Sequence, residues 1–122
     1  MKIIEEVWKP INGFSNYYEC SNWGNVRSKD RVIIQSNGVF HHRRSKVLTP
    51  QANKVNGLLQ VMLIVHKKVK LCYVHRLVGE AFVDNPNNYP NVTHINGDNQ
   101  DNRAINLKWV SRSPKLNKKL NL

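Results

Sequence analysis

The sequence predicts an α+β fold, with a small antiparallel-sheet module followed by a unit in which helix, strand, loop, strand and helix succeed one another. Three observations carry this expectation. Short β-rich runs separated by Gly and Asn turns fill the first two thirds of the chain, and the hydrophobic period becomes helical at His75. Two further strand-like runs and a proline-opened segment close the sequence.

Tyr17 to Cys20 and Val26 to Ser28 flank the turn Ser21-Asn22-Trp23-Gly24-Asn25. Arg31 to Gln35 leads through Ser36-Asn37-Gly38 into Val39-Phe40, a hairpin signal. Leu58 to Val65 and Val69 to Val74 are β-rich and joined by His66-Lys67-Lys68, which predicts a second hairpin with a cationic tip suited to a phosphate backbone. Leu77, Val78, Ala81 and Phe82 then recur at helical spacing, so His75 to Val83 reads as a short amphipathic helix ended by Asp84-Asn85-Pro86. A strand over 91–95, a turn at Asn96-Gly97-Asp98, a polar connection to Asn106 and a strand over 107–110 follow. Ser113-Pro114, an N-cap with proline at the first helical position, predicts a final helix from Pro114 to about Leu120. The joint between modules is expected at 51–57, with an N-terminal module over 1–50 and the second over 58–122.

A length of 122 residues leaves room for one compact domain or two small modules sharing a core, which excludes multi-domain enzyme architectures. With 40% hydrophobic residues, disorder is not expected. Lys plus Arg number 19 against 8 Asp plus Glu, giving a formal charge of +11 whose sign points to a polyanion. Neither acid occurs between Arg31 and Gly79, so the middle of the chain reads as one cationic surface. Cys20 and Cys72 form no C-x-x-C pair, which argues against a zinc knuckle and for reduced, partly buried thiols. There is no signal-peptide pattern and no apolar run approaching the roughly 18 residues that span a bilayer, so the expected location is the cytoplasm.

The informative constellation is Val92-Thr93-His94-Ile95-Asn96-Gly97-Asp98, then Asn102, then Asn106-Leu107-Lys108-Trp109-Val110, preceded by Val74-His75-Arg76-Leu77-Val78 and Ala81-Phe82. This run resembles the HNH endonucleases of phages and group I introns, whose sequences read close to V-H-R-L-V-x-x-A-F, N-H-x-D-G, N-N and N-L-x-W-V. Trp8-Lys9-Pro10-Ile11, Tyr18, Ser21-Asn22, Gly24 and Val26-Arg27-Ser28 resemble the DNA-contacting module often fused ahead of that nuclease. The resemblance implies a ββα-metal (His-Me finger) unit over about 91–120 that cleaves DNA, nicking one strand, with one divalent ion, Mg²⁺ or Mn²⁺. It also implies a double-stranded DNA partner and no small-molecule substrate. The expected state is a monomer or weak dimer, in the bacterial host cell if the gene is a phage's.

Phosphodiester hydrolysis needs a base for the attacking water and a cation for the charge on phosphate and leaving oxygen. The resemblance puts His94 at the base, and an imidazole with a pKa of about 6.5 accepts a proton at neutral pH. It puts Asn106 at the asparagine that holds the hairpin. The sequence departs from the family at the metal ligands. The residue before the histidine is Thr93, whose hydroxyl is a poorer ligand for a hard cation than a carboxylate or amide oxygen. Counting from Trp109 along the family's helix lands on Lys115, which cannot chelate while protonated. A helix capped at Ser113 brings Asn117 to the ligand position, so Thr93 and Asn117 are the candidate ligands.

The bland readings differ residue by residue. His94 beside Val92 and Ile95 also suits a half-buried structural histidine, against which Asn106 and the flanking motifs weigh. His75 is expected to be structural, Trp8 and Trp109 core, and His41-His42 a solvated or phosphate-facing run. DNA contacts are expected from Asn22, Trp23, Asn25 and Arg27 in the first turn, from Arg43 and Arg44, and from Lys67 and Lys68. A DNA-binding module whose cutting is weakened by the ligand changes is the alternative. An RNA-binding basic protein fits the charge but leaves the His94 to Asn106 pattern unexplained.

Overall fold

The computed structural model describes residues 5–111. The predicted helix beyond Ser113, with Lys115 and Asn117, lies outside the described residues. Ten strands fall into four antiparallel groups. β1 (Trp8–Pro10), β2 (Tyr18–Ser21) and β3 (Val26–Ser28) form one sheet, and β4 (Arg31–Ile34) pairs with β5 (Phe40–Arg43). β6 (Gln51–Ala52), β7 (Leu59–Val65) and β8 (Lys68–Tyr73) form a third group. After the helix α1 (Val74–Phe82) come β9 (Asn91–His94) and β10 (Leu107–Val110), which pair as a ribbon.

β1 has no counterpart among the expected strands. Its Pro10 lacks an amide donor, which reads against a strand interior, yet β1 is an edge strand where that donor is dispensable. The β7–β8 connection is a two-residue turn at His66 and Lys67, both with positive φ (51° and 65°). Paired left-handed residues match the twist of the flanking strands. Tyr17 steadies the turn, its hydroxyl 3.2 Å from His66 Nε2.

The two sequence segments are one body. Ile11, Tyr18, Cys20 and Val26 from the first half share a core with Val61, Leu63, Val74, Leu77, Val78, Val92 and Leu107 from the second. The Tyr18 hydroxyl accepts the Ile64 amide at 3.0 Å, and Cys20 Sγ donates to the Leu77 carbonyl at 3.6 Å. A joint at 51–57 therefore falls inside the third sheet, over β6 and its link to β7, and the segments on either side share the core. Burial pushes the Cys20 thiol up to about 12, as befits a small apolar side chain in a core.

Helix α1 is the centre of the arrangement, begins one residue earlier than expected, and buries Val74, His75, Leu77, Val78 and Gly79. Leu77 and Val78 follow Val74 at three and four residues, the spacing that gathers side chains on one face. Gly79 lets the helix approach β9 closely, since a β-carbon there would lie 2.9 Å from Val92 Cγ2 and 3.7 Å from Trp109 Cζ2. The helix has no side-chain cap at its start, and Trp109 Nε1 donates to the Val83 carbonyl beyond its end at 3.1 Å.

Replacing Gly79 by Val forces branched carbons into the β9 side chains, an overpacking cost of about 1–3 kcal/mol. Chemical denaturation should show that loss for Gly79→Val, while Glu80→Ala on the exposed side stays within about 0.5 kcal/mol of wild type.

Candidate active site

β9 and β10 pair in the register Leu107 to His94, Lys108 to Thr93, Trp109 to Val92 and Val110 to Asn91. Alternation along β9 buries Val92 and His94 on one side and leaves Asn91 and Thr93 half-buried on the other. His94 thus ends its strand facing inward, with 9% of its surface exposed.

The 95–106 connection folds back on itself through one asparagine. Buried Asn106 receives the Asn96 amide on Oδ1 at 3.0 Å and donates through Nδ2 to Asn96 Oδ1 at 3.0 Å and to the Asp101 carbonyl at 2.9 Å. Its own carbonyl accepts the Ile95 amide at 2.7 Å. The side chain's donors and its acceptor are in use, as a buried amide requires. Asp101 binds Arg103 through two oxygens, at 2.8 Å each, and Arg103 holds its carboxyl down at about 2.

His94 Nε2 lies 2.7 Å from Asn102 Oδ1, and Asn102 is only 4% exposed. The motif contains Asn102 without giving it a role. No spacing rule links an amide to an imidazole eight residues away across an irregular loop. On the other side, the His75 ring stands 5.0 Å from that of His94, and Tyr73 stands 5.5 Å from His75. His75 Nδ1 and Asn102 Nδ2 are buried without partners. Burial, reinforced by His94 and Arg76, pulls His75 down to about 4, so it is neutral at physiological pH.

Two family models fit this chain. The NUMOD4 motif matches residues 6–64, and the HNH endonuclease model matches 72–115. The chain is homologous to HNH homing endonucleases. It is 34% identical over 112 residues to an uncharacterized HNH endonuclease, L245, of Acanthamoeba polyphaga mimivirus, and 39% identical over 117 residues to L247 of the same virus. It is 30% identical over 105 residues to the DNA endonuclease I-HmuI of Bacillus phage SP01. These matches cover 91%, 88% and 86% of this chain but 32%, 24% and 52% of the relatives, so the chain spans a quarter to a half of their length. A solved structure of I-HmuI binding and cleaving DNA superposes with a TM-score of 0.71 at 29% identity, covering 94% of this chain and 58% of that one. The fold is therefore the α+β arrangement of that HNH homing endonuclease.

HNH nucleases generally use a divalent metal, and the described residues hold no cluster of its usual strong ligands. Among them no group of three His, Cys, Asp or Glu is disposed to hold an ion. Thr93 lies on the side of β9 opposite His94, across from Lys108. Asp101 is committed to Arg103, and Asp98 Oδ1 accepts the Gln100 amide in its own turn at 3.0 Å. Asn117 lies outside the described residues.

The candidate DNA contacts divide into two kinds. Asn22 is spent internally, accepting the Val7 amide at 2.6 Å and donating to the Glu5 carbonyl at 3.0 Å. Asn25 donates to Glu6 at 2.6 Å, and Arg27 pairs with Glu19 at 2.9 Å while lying 3.9 Å over the Trp8 ring. Trp23, Arg43, Arg44, Lys67 and Lys68 are exposed, and among the described residues these four cations have no ion-pair partner.

His75 makes stability depend on pH in a stated direction. Unfolded, it binds a proton near its ordinary value of 6.5; folded, only near 4. The fold is favoured fully above 6.5 and loses stability as pH falls from 6.5 to 4, by up to about 3 kcal/mol at 1.36 kcal/mol per pH unit. Denaturation at pH 7, 5.5 and 4.5 should show this slope, and His75→Phe should flatten it. Asn106→Ala opens the 95–106 loop and should cost about 2–3 kcal/mol, more than a single surface hydrogen bond, in the same measurement.

Proposed function

We propose that this chain is a DNA endonuclease that hydrolyses phosphodiester bonds and nicks one strand, with His94 as general base. The observation that supports it is the buried pair His94–Asn102 on the Asn106-locked loop, in a chain homologous to DNA-cleaving HNH enzymes. The imidazole takes the proton of a water attacking the phosphorus, and the leaving oxygen departs on the opposite side. Fixing the ring in a loop whose backbone is already bonded removes the entropy of orienting it during reaction.

Double-stranded DNA is the partner this reading requires. Exposed Arg43 and Arg44 on one hairpin and Lys67 and Lys68 at the tip of another suit phosphates, which give affinity that falls with salt but little sequence information. Trp23, 47% exposed in the first turn, is the aromatic that this reading assigns to contact with bases. The reading takes Mg²⁺ or Mn²⁺ as cofactor; of the candidate ligands, Asn117 lies outside the described residues, and Thr93, on the face of β9 away from His94, is set aside as a ligand beside that base.

A second reading has one observation in its favour: among the described residues no group of three His, Cys, Asp or Glu is disposed to hold a metal ion. On that reading the chain binds DNA on the same fold and cuts weakly or not at all.

Supercoiled plasmid separates the two. Purified protein with Mg²⁺ or Mn²⁺ should convert it to the nicked form. His94→Ala should lower the rate by about 100-fold or more, the scale of a lost general base, and EDTA should stop the reaction until metal is restored. Gel-shift binding without nicking in either metal would leave only the binding reading.

A further inference from the structure

The loop that holds His94 is itself held from the N-terminal sheet. Gly24 closes the turn between β2 and β3 at φ +90°, and a β-carbon on it would lie 2.9 Å from the carbonyl carbon and oxygen of Asn102 and 3.0 Å from its Cβ. In the same turn the Asn22 carbonyl accepts the Ala104 amide at 2.8 Å. The turn is firm on its own side. Ser21, fully buried, accepts the amides of Trp23 and Asn25 on Oγ at 3.2 Å each, and the Asn22 side chain is tied to Glu5 and Val7.

The Asn102 side chain has no second anchor, because its Nδ2 is buried without a partner. Its Oδ1 is held by the contact with His94 and by the backbone from which it projects, and Gly24 and Asn22 pack on and bond to that backbone segment. The amide oxygen carries only lone pairs, so the imidazole nitrogen 2.7 Å from it must bear the proton. That selects the Nε2–H tautomer and leaves the lone pair on Nδ1. Nδ1 has no partner among the described residues and is not one of their buried orphan atoms. A water's proton can be accepted only at a nitrogen in that state.

We infer that the Ser21–Asn25 turn is a positioning device for His94, acting through Asn102 to fix its tautomer. The segment matched by the NUMOD4 motif then sets the base as well as meeting nucleic acid. The inference rests on the reading of His94 as base, and its test keeps the two claims apart.

The test uses ¹⁵N-labelled full chain, whose ring-nitrogen shifts report the tautomer of His94 without any turnover. Gly24→Ala brings both a positive-φ penalty and the collision with Asn102. Gly13→Ala, at φ +86° with nothing within 4 Å of its β-carbon, brings the penalty alone. Wild type and Gly13→Ala should show the Nε2–H form. Gly24→Ala should show a mixture and, at protein concentrations that saturate binding, nick plasmid about 10- to 100-fold more slowly, the usual range for groups that orient a site residue.

Ala104→Pro supplies a gentler variant. It removes only the amide that reaches Asn22, and Arg103, at φ −62° and ψ 140°, already has the extended backbone that a following proline demands. It should move the tautomer in the same direction. Asn102→Leu should abolish the preference and Asn102→Asp, which keeps an acceptor, should restore it. An Nδ1–H ring in wild type, or a Gly24→Ala spectrum identical to that of Gly13→Ala, overturns the inference. A tautomer that responds to Gly24→Ala while His94→Ala still nicks upholds the brace and removes the base assignment instead.

Discussion

The fold depends on how closely one short helix can approach its neighbours. α1 has nine residues, too few to be stable alone, and its helical state comes from the faces it buries. One face meets the N-terminal sheet through Cys20 and Leu77, and another meets the β9–β10 ribbon at Gly79, where Val92 leaves no room for a side chain. The ribbon bearing His94 and the sheet bearing Gly24 are thus referred to the same rod. Their mutual placement follows from packing that is indifferent to DNA.

Charge is apportioned on the same lines. Several cations work inside the protein: Lys9 lies 4.8 Å over Phe82 and donates to the Ala81 carbonyl, Arg27 covers Trp8, and Arg76 reaches the Pro90 carbonyl at 2.6 Å. Such contacts bury aliphatic stems while the charge stays wet. Among the described residues, Arg43-Arg44 and Lys67-Lys68 have no such internal contact and sit exposed on two hairpins. Each of these two hairpins thus presents an adjacent pair of exposed cations to a polyanion.

Much of this was legible in the sequence. The alternating runs located β2, β3, β7 and β8, the period of Leu77, Val78, Ala81 and Phe82 located the helix to within a residue, and Asn96-Gly97-Asp98 marked the turn of the ribbon. Asn106 was readable from its motif, and its bonds give the motif a physical sense. β1 was not, because Pro10 hides an edge strand. The engagement of the Asn22, Asn25 and Arg27 side chains within the protein was not, because a side chain's partner, here Glu5, Glu6 or Glu19, leaves no periodic trace. Asn102 was hardest, since its importance is a distance across an irregular loop and periodicity describes only regular elements.

The buried thiol of Cys20 has a consequence for redox chemistry. A sulfur at about 12 is a thiolate in on the order of one molecule in a hundred thousand at neutral pH, and only the thiolate attacks peroxides and disulfides. Cys20 is also fully buried, so the contact between the first sheet and the helix is a poor target for glutathionylation or sulfenic-acid formation.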